Sequence, residues 1–214
     1  MKTICVASRK GGSNKTTTAI NLACALGVQG KAVLVLDMDE QGTASLWYSR
    51  KEEDTAPNVR VMKVKTKQMD AVLEKARKSN IDFVIIDTMP VHTTSGNAAM
   101  ALSDLVITTM SPSGADFNAA GITIRAAQRL GKHTVVAIGR ISSSRNDKQL
   151  RQGLDGMGLA YLNGGLRQRV AYSNALGNGL FAGDLDTKAY SEVTALRENV
   201  LRALEGKTTQ AASA

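Results

Sequence analysis

Runs of consecutive apolar residues alternate along the chain with segments in which apolar residues recur every three or four positions. The apolar runs predict strands at residues 3–7, 32–36, 59–64, 83–86, 105–107 and 135–138. The periodic segments predict helices at residues 19–26, 69–78 and 188–205, and we expect the second of these to be exposed. Continuously apolar strands separated by helices are typical of a parallel sheet covered on both faces. The pattern therefore predicts an α/β fold with a mostly parallel twisted sheet flanked by helices.

The chain has 214 residues, which is enough for one domain with a proper core. We place this domain at residues 1–205 and expect the small polar tail, residues 206–214, to be flexible. No apolar run approaches the roughly 20 residues needed to span a membrane, and the apolar start is too short for a signal peptide. We therefore expect a cytoplasmic protein. Its two cysteines, Cys5 and Cys24, are expected to be buried apolar residues.

Positive charge is concentrated in one part of the chain. The net charge is +8, and residues 121–180 hold nine Lys or Arg against two Asp, a local excess of +7. A concentrated basic segment is typical of a surface that binds nucleic acid. A solvated basic face without a partner is the alternative interpretation.

A glycine-containing loop follows the first predicted strand, with the sequence RKGGSNKTTT at residues 9–18. Gly11 and Gly12 allow the backbone to approach phosphate groups closely, and the helix that follows attracts anions at its first turn. Lys15 and Thr16 occupy the places of the lysine and the Mg²⁺-binding hydroxyl in a phosphate-binding loop. The glycine that usually precedes the lysine is replaced by Asn14, which tolerates positive φ better than most residues.

The pattern K-G-G-x-x-K-T-[ST] at residues 10–17 resembles the deviant Walker A motif of the ParA/MinD family of dimeric ATPases. The resemblance implies the P-loop NTPase fold. It also implies that Lys15 contacts the phosphates of its own nucleotide, and that Lys10 reaches the phosphates of the partner subunit in a nucleotide-sandwich dimer. Asn14 departs from the family pattern, which has glycine there.

Two further segments resemble motifs of the same family. The segment LVLDMDEQGTAS, residues 34–45, resembles the segment after the second strand, with glutamate in place of the usual proline. The resemblance implies that Asp39 positions the attacking water and lies near Mg²⁺. The segment FVIIDTMP, residues 83–90, resembles the Walker B strand, in which Asp87 would hold the metal through water. A hard cation prefers such carboxylates together with the Thr16 hydroxyl.

The resemblance extends over nearly the whole chain and is strongest to small plasmid-partition ParA proteins of the ParF type. Residues 102–121 resemble a region that implies a nucleotide-sensing dimer interface at Pro112 and Asp116. Residues 166–176 resemble a segment near the base and the dimer surface. Arg140 stands where MinD-like relatives have an asparagine that reads adenine, so the way in which this chain recognises the base stays open.

These motifs yield four sets of candidate residues. The nucleotide contacts are Lys10, Gly11, Gly12, Ser13, Asn14, Lys15, Thr16, Thr17, Pro112, Asp116 and Arg140. The residues expected to act in hydrolysis are Lys10, Lys15 and Asp39. The expected metal ligands are Thr16, Asp39 and Asp87. The candidate DNA contacts are Arg145, Lys148, Arg151, Arg167 and Arg169.

The resemblance implies an ATPase for the partition of plasmid or chromosomal DNA. With ATP and Mg²⁺ it would form a homodimer that binds nonspecific DNA on the nucleoid, without a membrane partner. A ParB-like or small centromere-binding adaptor protein would stimulate its slow hydrolysis and so release the dimer. Two alternative functions also fit the sequence. One is a DNA- or protein-binding module with a decayed nucleotide site, and the other is a related ATPase that positions another cargo.

Overall fold

The computed structural model describes residues 1–89 and 94–207, and these residues build one parallel sheet with helices on both faces. The strands are β1 (Lys2–Ala7), β2 (Val33–Asp37), β3 (Val59–Lys63), β4 (Phe83–Asp87), β5 (Leu105–Met110), β6 (Thr134–Ile141) and β7 (Leu166–Arg167). Within the described residues the strand order is β3-β2-β4-β1-β5-β6-β7. The first strand therefore lies in the middle of the sheet, paired with β4 on one side and β5 on the other.

Helices connect the strands and continue the chain after the last one. Their bounds are α1 (Lys15–Gly27), α2 (Thr43–Arg50), α3 (Met69–Arg77), α4 (Thr94–Ala101), α5 (Gly114–Arg129), α6 (Ser144–Gly156), α7 (Val170–Asn178), α8 (Ala182–Leu185) and α9 (Thr187–Leu204). A 3₁₀ turn at Thr66–Gln68 leads into α3. No helix in the part of the chain that the structure describes is long and apolar enough to cross a membrane.

Side chains of the central strand alternate between two apolar cores. Ile4 and Val6 of β1 pack on the face that α1 and α9 cover. Cys5 and Ala7 point to the opposite face, where they join Met69 of α3. Both faces are buried, and for this reason the strand is apolar at consecutive positions rather than at alternate ones. The cysteines Cys5 and Cys24 are both buried and unpaired.

The α/β class, the parallel sheet and the strands read from apolar runs are confirmed. The expectation of an exposed helix at residues 69–78 was too simple, because α3 buries Met69, Leu73 and Ala76 while its other face is solvated. β7 was not predicted, since a strand of two residues leaves no periodic signal. Residue 90 of the predicted Walker B segment and residues 208–214 of the predicted tail lie outside the described residues.

Candidate functional site

The strand order brings the candidate residues together at one edge of the sheet. The phosphate loop follows β1, so its immediate neighbours are the segments that follow β4 and β5. Asp87 ends β4 on one side of the loop, and Asp116 lies in the first turn of α5 on the other side. Ligands of open α/β sheets bind at the carboxyl ends of the strands, and this is where the loop lies.

The phosphate loop turns sharply through two residues with left-handed backbone. Gly12 has φ 70° and Asn14 has φ 73°, and α1 begins at the next residue, Lys15. A Cβ on Gly12 would meet nothing within 4 Å, so glycine is needed there for its backbone angle and not for lack of room. Ser13 is buried, and the Thr109 hydroxyl of β5 donates to its hydroxyl at 3.3 Å. The loop is therefore tied to the sheet.

Asn14 packs against a glycine of a distant strand. A Cβ on Gly139 of β6 would lie 2.6 Å from Asn14 Nδ2 and 3.2 Å from Asn14 Cβ and Cγ. No side chain could occupy both positions without movement. The bulk added to the loop by Asn14 is therefore matched by the absence of a side chain at Gly139.

Lys15 is almost completely buried at the start of α1, with 6% of the residue exposed. Its Nζ donates to the carbonyl oxygen of Lys10 at 3.4 Å, so the ammonium folds back over its own loop. Burial lowers the pKa of Lys15, while the nearby carboxylates of Asp87 and Asp39 act to raise it. An anion bound in the loop would offset the cost of burying this ammonium.

Lys10 leaves the same loop in a different direction and forms an ion pair with Asp116. The Lys10 Nζ lies 2.5 Å from Asp116 Oδ1, and the lysine side chain is 45% exposed while the aspartate is 4% exposed. The other carboxylate oxygen, Oδ2, accepts a hydrogen bond from the Ser111 amide at 3.0 Å. Burial raises the pKa of Asp116, but Lys10 and Ser111 outweigh it, so this pKa lies below its usual range. Pro112, which lies between Ser111 and Asp116 in the sequence, is half-buried.

Asp87 is buried and both its carboxylate oxygens lack a hydrogen bond within residues 1–89 and 94–207. Burial raises its pKa to about 7; the Thr16 hydroxyl and Lys15 oppose that rise, and Asp37 and Asp39 add to it. Buried polar atoms are almost always paired in folded proteins. The two unpaired Asp87 oxygens and the neighbouring Thr16 hydroxyl therefore form a candidate cation-binding site.

The donor set fits magnesium. Thr16 and Asp39 are both half-buried, and together with Asp87 they offer hydroxyl and carboxylate oxygens. The described residues contain no group of three or more His, Cys, Asp or Glu side chains that could hold a metal by themselves. That agrees with Mg²⁺, which keeps several waters and takes one or two carboxylates plus phosphate oxygens.

A cleft of about 560 Å³ opens beside the phosphate loop. Asn14 and Thr17 form its wall on the loop side. Three arginines lie across the cleft, Arg140 at the end of β6 and Arg167 and Arg169 at the β7–α7 connection. The cleft is continuous with the phosphate loop, so its position suits the nucleoside part of a bound nucleotide.

Within residues 1–89 and 94–207, the candidate DNA contacts differ in whether their side chains already have charged partners. Arg145 and Lys148 are exposed on α6. Arg151 on the same helix is engaged: its Nε lies 2.9 Å from Asp147 Oδ1, and its guanidinium stacks 5.2 Å from the Tyr161 ring centroid. The first two residues are available to a polyanion, whereas Arg151 holds together α6 and the segment after it.

The two remaining candidates line the nucleoside cleft. Arg169 forms an ion pair of 2.6 Å with Glu192 and a longer one of 3.6 Å with Asp186. Arg167 is half-buried, and its Nη2 reaches the Ser144 hydroxyl at 3.5 Å, the limit of a hydrogen bond. Their DNA-binding role stays a prediction, and Arg169 has a structural role in connecting α7 with α9.

Sequence reasoning missed two residues that shape the site. Asp37 is fully buried and accepts hydrogen bonds from the Ser45 amide and hydroxyl at 2.8 and 2.6 Å, which fixes the first turn of α2. Lys63 on β3 donates to the Glu40 carbonyl at 3.0 Å and so supports the loop after β2. Asp37 could have been found from its place at the end of a buried strand. The Lys63 contact joins residues 23 positions apart and has no local signal.

The parallel sheet, the glycine-containing loop and the buried lysine that opens α1 define a protein of the P-loop NTPase class. A family model described as ATPase MipZ matches residues 44–154, more than half of the chain, and one described as AAA domain matches residues 1–81. The chain belongs to the ParA/MinD-type family of ATPases.

Known relatives match this chain over limited segments, and solved structures match it over almost its full length. The chromosome-partitioning ATPase Soj of Thermus thermophilus is 53% identical over 45 residues, 21% of this chain and 18% of the relative. The chain spans about a quarter or less of the curated relatives it matches first. Apo McdA from Cyanothece has a TM-score of 0.78 at 20% identity, covering 95% of this chain and 99% of that one. MinD with Mg-ADP from Pyrococcus horikoshii has a TM-score of 0.78 at 19% identity, covering 97% and 99%. At such identities these structures show the fold.

The contact between Asn14 and Gly139 predicts a specific coupling between the two positions. Gly139→Ala should lower the affinity for ADP and destabilise the protein by about 1–3 kcal/mol, because the new methyl group overlaps the Asn14 side chain. In an Asn14→Gly background the same substitution should cost much less, since the overlap is gone. Titration with a fluorescent ADP and urea denaturation of the four proteins measure this cycle. An equal effect of Gly139→Ala in both backgrounds would show that the two residues are not coupled.

The buried Asp87 predicts a pH-dependent stability in the absence of nucleotide and metal. Its folded pKa of about 7 exceeds the unfolded value of 3.8, so its contribution is most favourable below about pH 4 and is lost as pH rises towards 7. Asp87→Asn should therefore gain stability relative to the parent between pH 5 and pH 8, by about 2 kcal/mol. Urea denaturation at both pH values, with the exposed Asp54→Asn as control, measures the difference. A gap between Asp87→Asn and the parent that does not change with pH would contradict the raised pKa.

Proposed function

We propose that this protein is an ATP-hydrolysing partition or positioning ATPase whose triphosphate-bound dimer holds nonspecific DNA. The observation that carries the proposal is the arrangement of two lysines in one loop. Lys15 is buried where the phosphates of its own nucleotide would lie, and Lys10 extends from the loop surface to Asp116. A lysine that serves only its own phosphate site has no reason to be held away from it.

The residues of the chain account for binding and positioning. The amides of residues 11–16 and the first turn of α1 bind the phosphates, and Lys15 neutralises their charge. Thr16, Asp39 and Asp87 would hold Mg²⁺, which neutralises charge on the phosphate oxygens when bound. Asp39 accepts a hydrogen bond from the Gln41 amide at 3.0 Å through Oδ1. Its Oδ2 has no hydrogen bond among the described residues and would orient the attacking water. The chemistry needs little more than position and charge, so slow turnover is expected.

The ion pair between Lys10 and Asp116 provides the step that couples nucleotide to assembly. The Lys10 ammonium is held on its own subunit, 2.5 Å from Asp116 Oδ1. On dimerisation around a triphosphate, Lys10 would pair with the phosphates of the partner's nucleotide, which carry more negative charge than the Asp116 carboxylate. Asp116 would then lose its counter-ion. Because Asp116 is buried in the first turn of α5, the loss of its counter-ion would shift the neighbouring loop at Pro112 and the end of β5. Hydrolysis reverses the exchange and separates the subunits.

The dimer would carry DNA on its basic surface. The exposed Arg145 and Lys148 on α6 and the local excess of +7 in residues 121–180 support this part of the proposal. Phosphate contacts of this type are independent of sequence and steeply salt-dependent. A ParB-like or small centromere-binding protein would stimulate hydrolysis, and its identity would decide whether a plasmid, a chromosome or another cargo is moved. The relative named chromosome-partitioning ATPase supports DNA as the cargo.

Sedimentation velocity tests the proposal directly. We expect a monomer with ADP, a dimer with ATP or a non-hydrolysable analogue, and co-sedimentation of the dimer with duplex DNA. DNA binding should weaken strongly between about 50 and 200 mM salt, because counterions are released on binding. A monomer with every nucleotide would favour a binding module with a decayed nucleotide site.

Substitution of Lys10 and substitution of Lys15 should impair different steps of nucleotide-dependent DNA binding. Lys10→Ala should keep ADP binding but lose the triphosphate-dependent dimer and its DNA binding, since its charge acts across the interface. Lys15→Ala should weaken nucleotide binding by about 10–100-fold, as expected for the loss of a charged hydrogen bond to phosphate. Fluorescent-nucleotide titration and sedimentation measure the two effects, with the exposed Lys188→Ala as control. Normal ATP-dependent DNA binding by Lys10→Ala would refute the sandwich dimer.

A further inference from the structure

Arg140 occupies an irregular position in the sheet. β6 pairs with β7 through Gly139 opposite Leu166 and Ile141 opposite Arg167, and the register shifts between these two pairs. Arg140 is the residue at this irregularity and has φ 53°, a left-handed conformation. Arginine adopts this conformation only at an energetic cost, and irregularities of this kind re-aim side chains next to functional sites. Arg140 is thereby turned out of the sheet to the wall of the nucleoside cleft.

The cleft is lined by guanidinium groups, and two of the three lack a carboxylate partner among the described residues. Arg169 is neutralised by Glu192 and Asp186. Arg140 and Arg167, in contrast, form no ion pair with any residue in the ranges 1–89 and 94–207. A ligand in this cleft therefore gains most from presenting acceptor atoms to the two guanidinium groups.

The two purine bases differ in what they present to a guanidinium. Guanine carries two adjacent acceptors, O6 and N7, which match the two parallel N–H groups of arginine. Adenine carries the N7 acceptor beside the N6 amino donor, which would face an arginine donor. An amide side chain, with one donor and one acceptor, suits adenine instead. Either purine ring can still stack on the planar guanidinium, so adenine is tolerated.

We propose that this site takes guanine nucleotides as well as adenine nucleotides, and that Arg140 determines the acceptance of guanine. The proposal rests on the proposed nucleotide site, because the cleft adjoins the phosphate loop at Asn14 and Thr17. It adds GTP to the substrates of the ATPase. Arg167 supplies a second donor on the same wall, and the side-chain amide of Gln168, also in the lining, offers an acceptor to the N1–H of guanine.

Competition of ADP and GDP against a fluorescent ADP analogue tests the base preference. For the unmodified protein we expect GDP to bind within about threefold of ADP, or more tightly, since one bidentate arginine contact favours guanine by tenfold or more. Arg140→Gln should weaken GDP binding by about tenfold relative to ADP binding, since an amide side chain suits adenine. Arg77→Gln, which removes the same charge from the exposed face of α3, should change neither. GTP hydrolysis by the unmodified protein should be detectable and should fall with Arg140→Gln.

The outcomes separate this inference from the function on which it rests. ADP binding together with GDP binding that is weaker by about 30-fold or more would overturn the inference and leave the ATPase intact. An equal loss of ADP and GDP affinity in Arg140→Gln would assign Arg140 to the phosphates and also overturn it. Binding of neither diphosphate would overturn the proposed function together with the inference. The comparison of ADP with GDP in the unmodified protein needs no variant, so it holds even if a substitution at Arg140 prevents folding.

Discussion

The pairing of β1 with both β4 and β5 is the constraint on which the site depends. It places the phosphate loop between two strand ends that carry carboxylates into the same edge of the sheet. Asp87 reaches the loop from the β4 side and Asp116 from the β5 side, so each of the two loop lysines has an acidic neighbour. Exchange of neighbouring strands would leave the lysines without these partners. The chemistry therefore follows from strand order as much as from the loop itself.

The charges at this edge are balanced incompletely. Lys15 and Asp87 are both buried, yet Lys15 makes only a long hydrogen bond to a carbonyl and Asp87 makes none within the described residues. Uncompensated burial of this kind is unfavourable by itself, and charged ligands that supply the missing partners would offset its cost. Lys10 and Asp116 differ, because they are already paired. The part of the site beside Lys15 and Asp87 is therefore the part that suits charged ligands.

The sequence predicts the parts of this arrangement that are local. Continuous apolar runs identify the strands, and the spacing from Gly11 to Thr16 identifies the loop, because both signals lie within a few consecutive residues. Contacts between distant residues leave no such signal. The ion pair of Arg169 with Glu192 and the hydrogen bond of Lys63 to Glu40 join residues more than 20 positions apart. Charge counting therefore does not distinguish arginines in intramolecular ion pairs from the other basic residues, and the DNA-binding role of all five candidates stays a prediction.

The replacement of the loop glycine by Asn14 is explained better by adaptation than by decay. A decayed site has no use for buried charges, which are unfavourable without partners, yet Lys15 and Asp87 are both present and buried. Asn14 also adopts the left-handed conformation that the missing glycine would have had, at φ 73°. Its side chain fits against Gly139, one residue before the irregular position of Arg140. The bulk of Asn14 and the missing side chain of Gly139 thus form one contact beside the cleft wall that carries Arg140, and this contact accommodates asparagine while the loop keeps its backbone conformation.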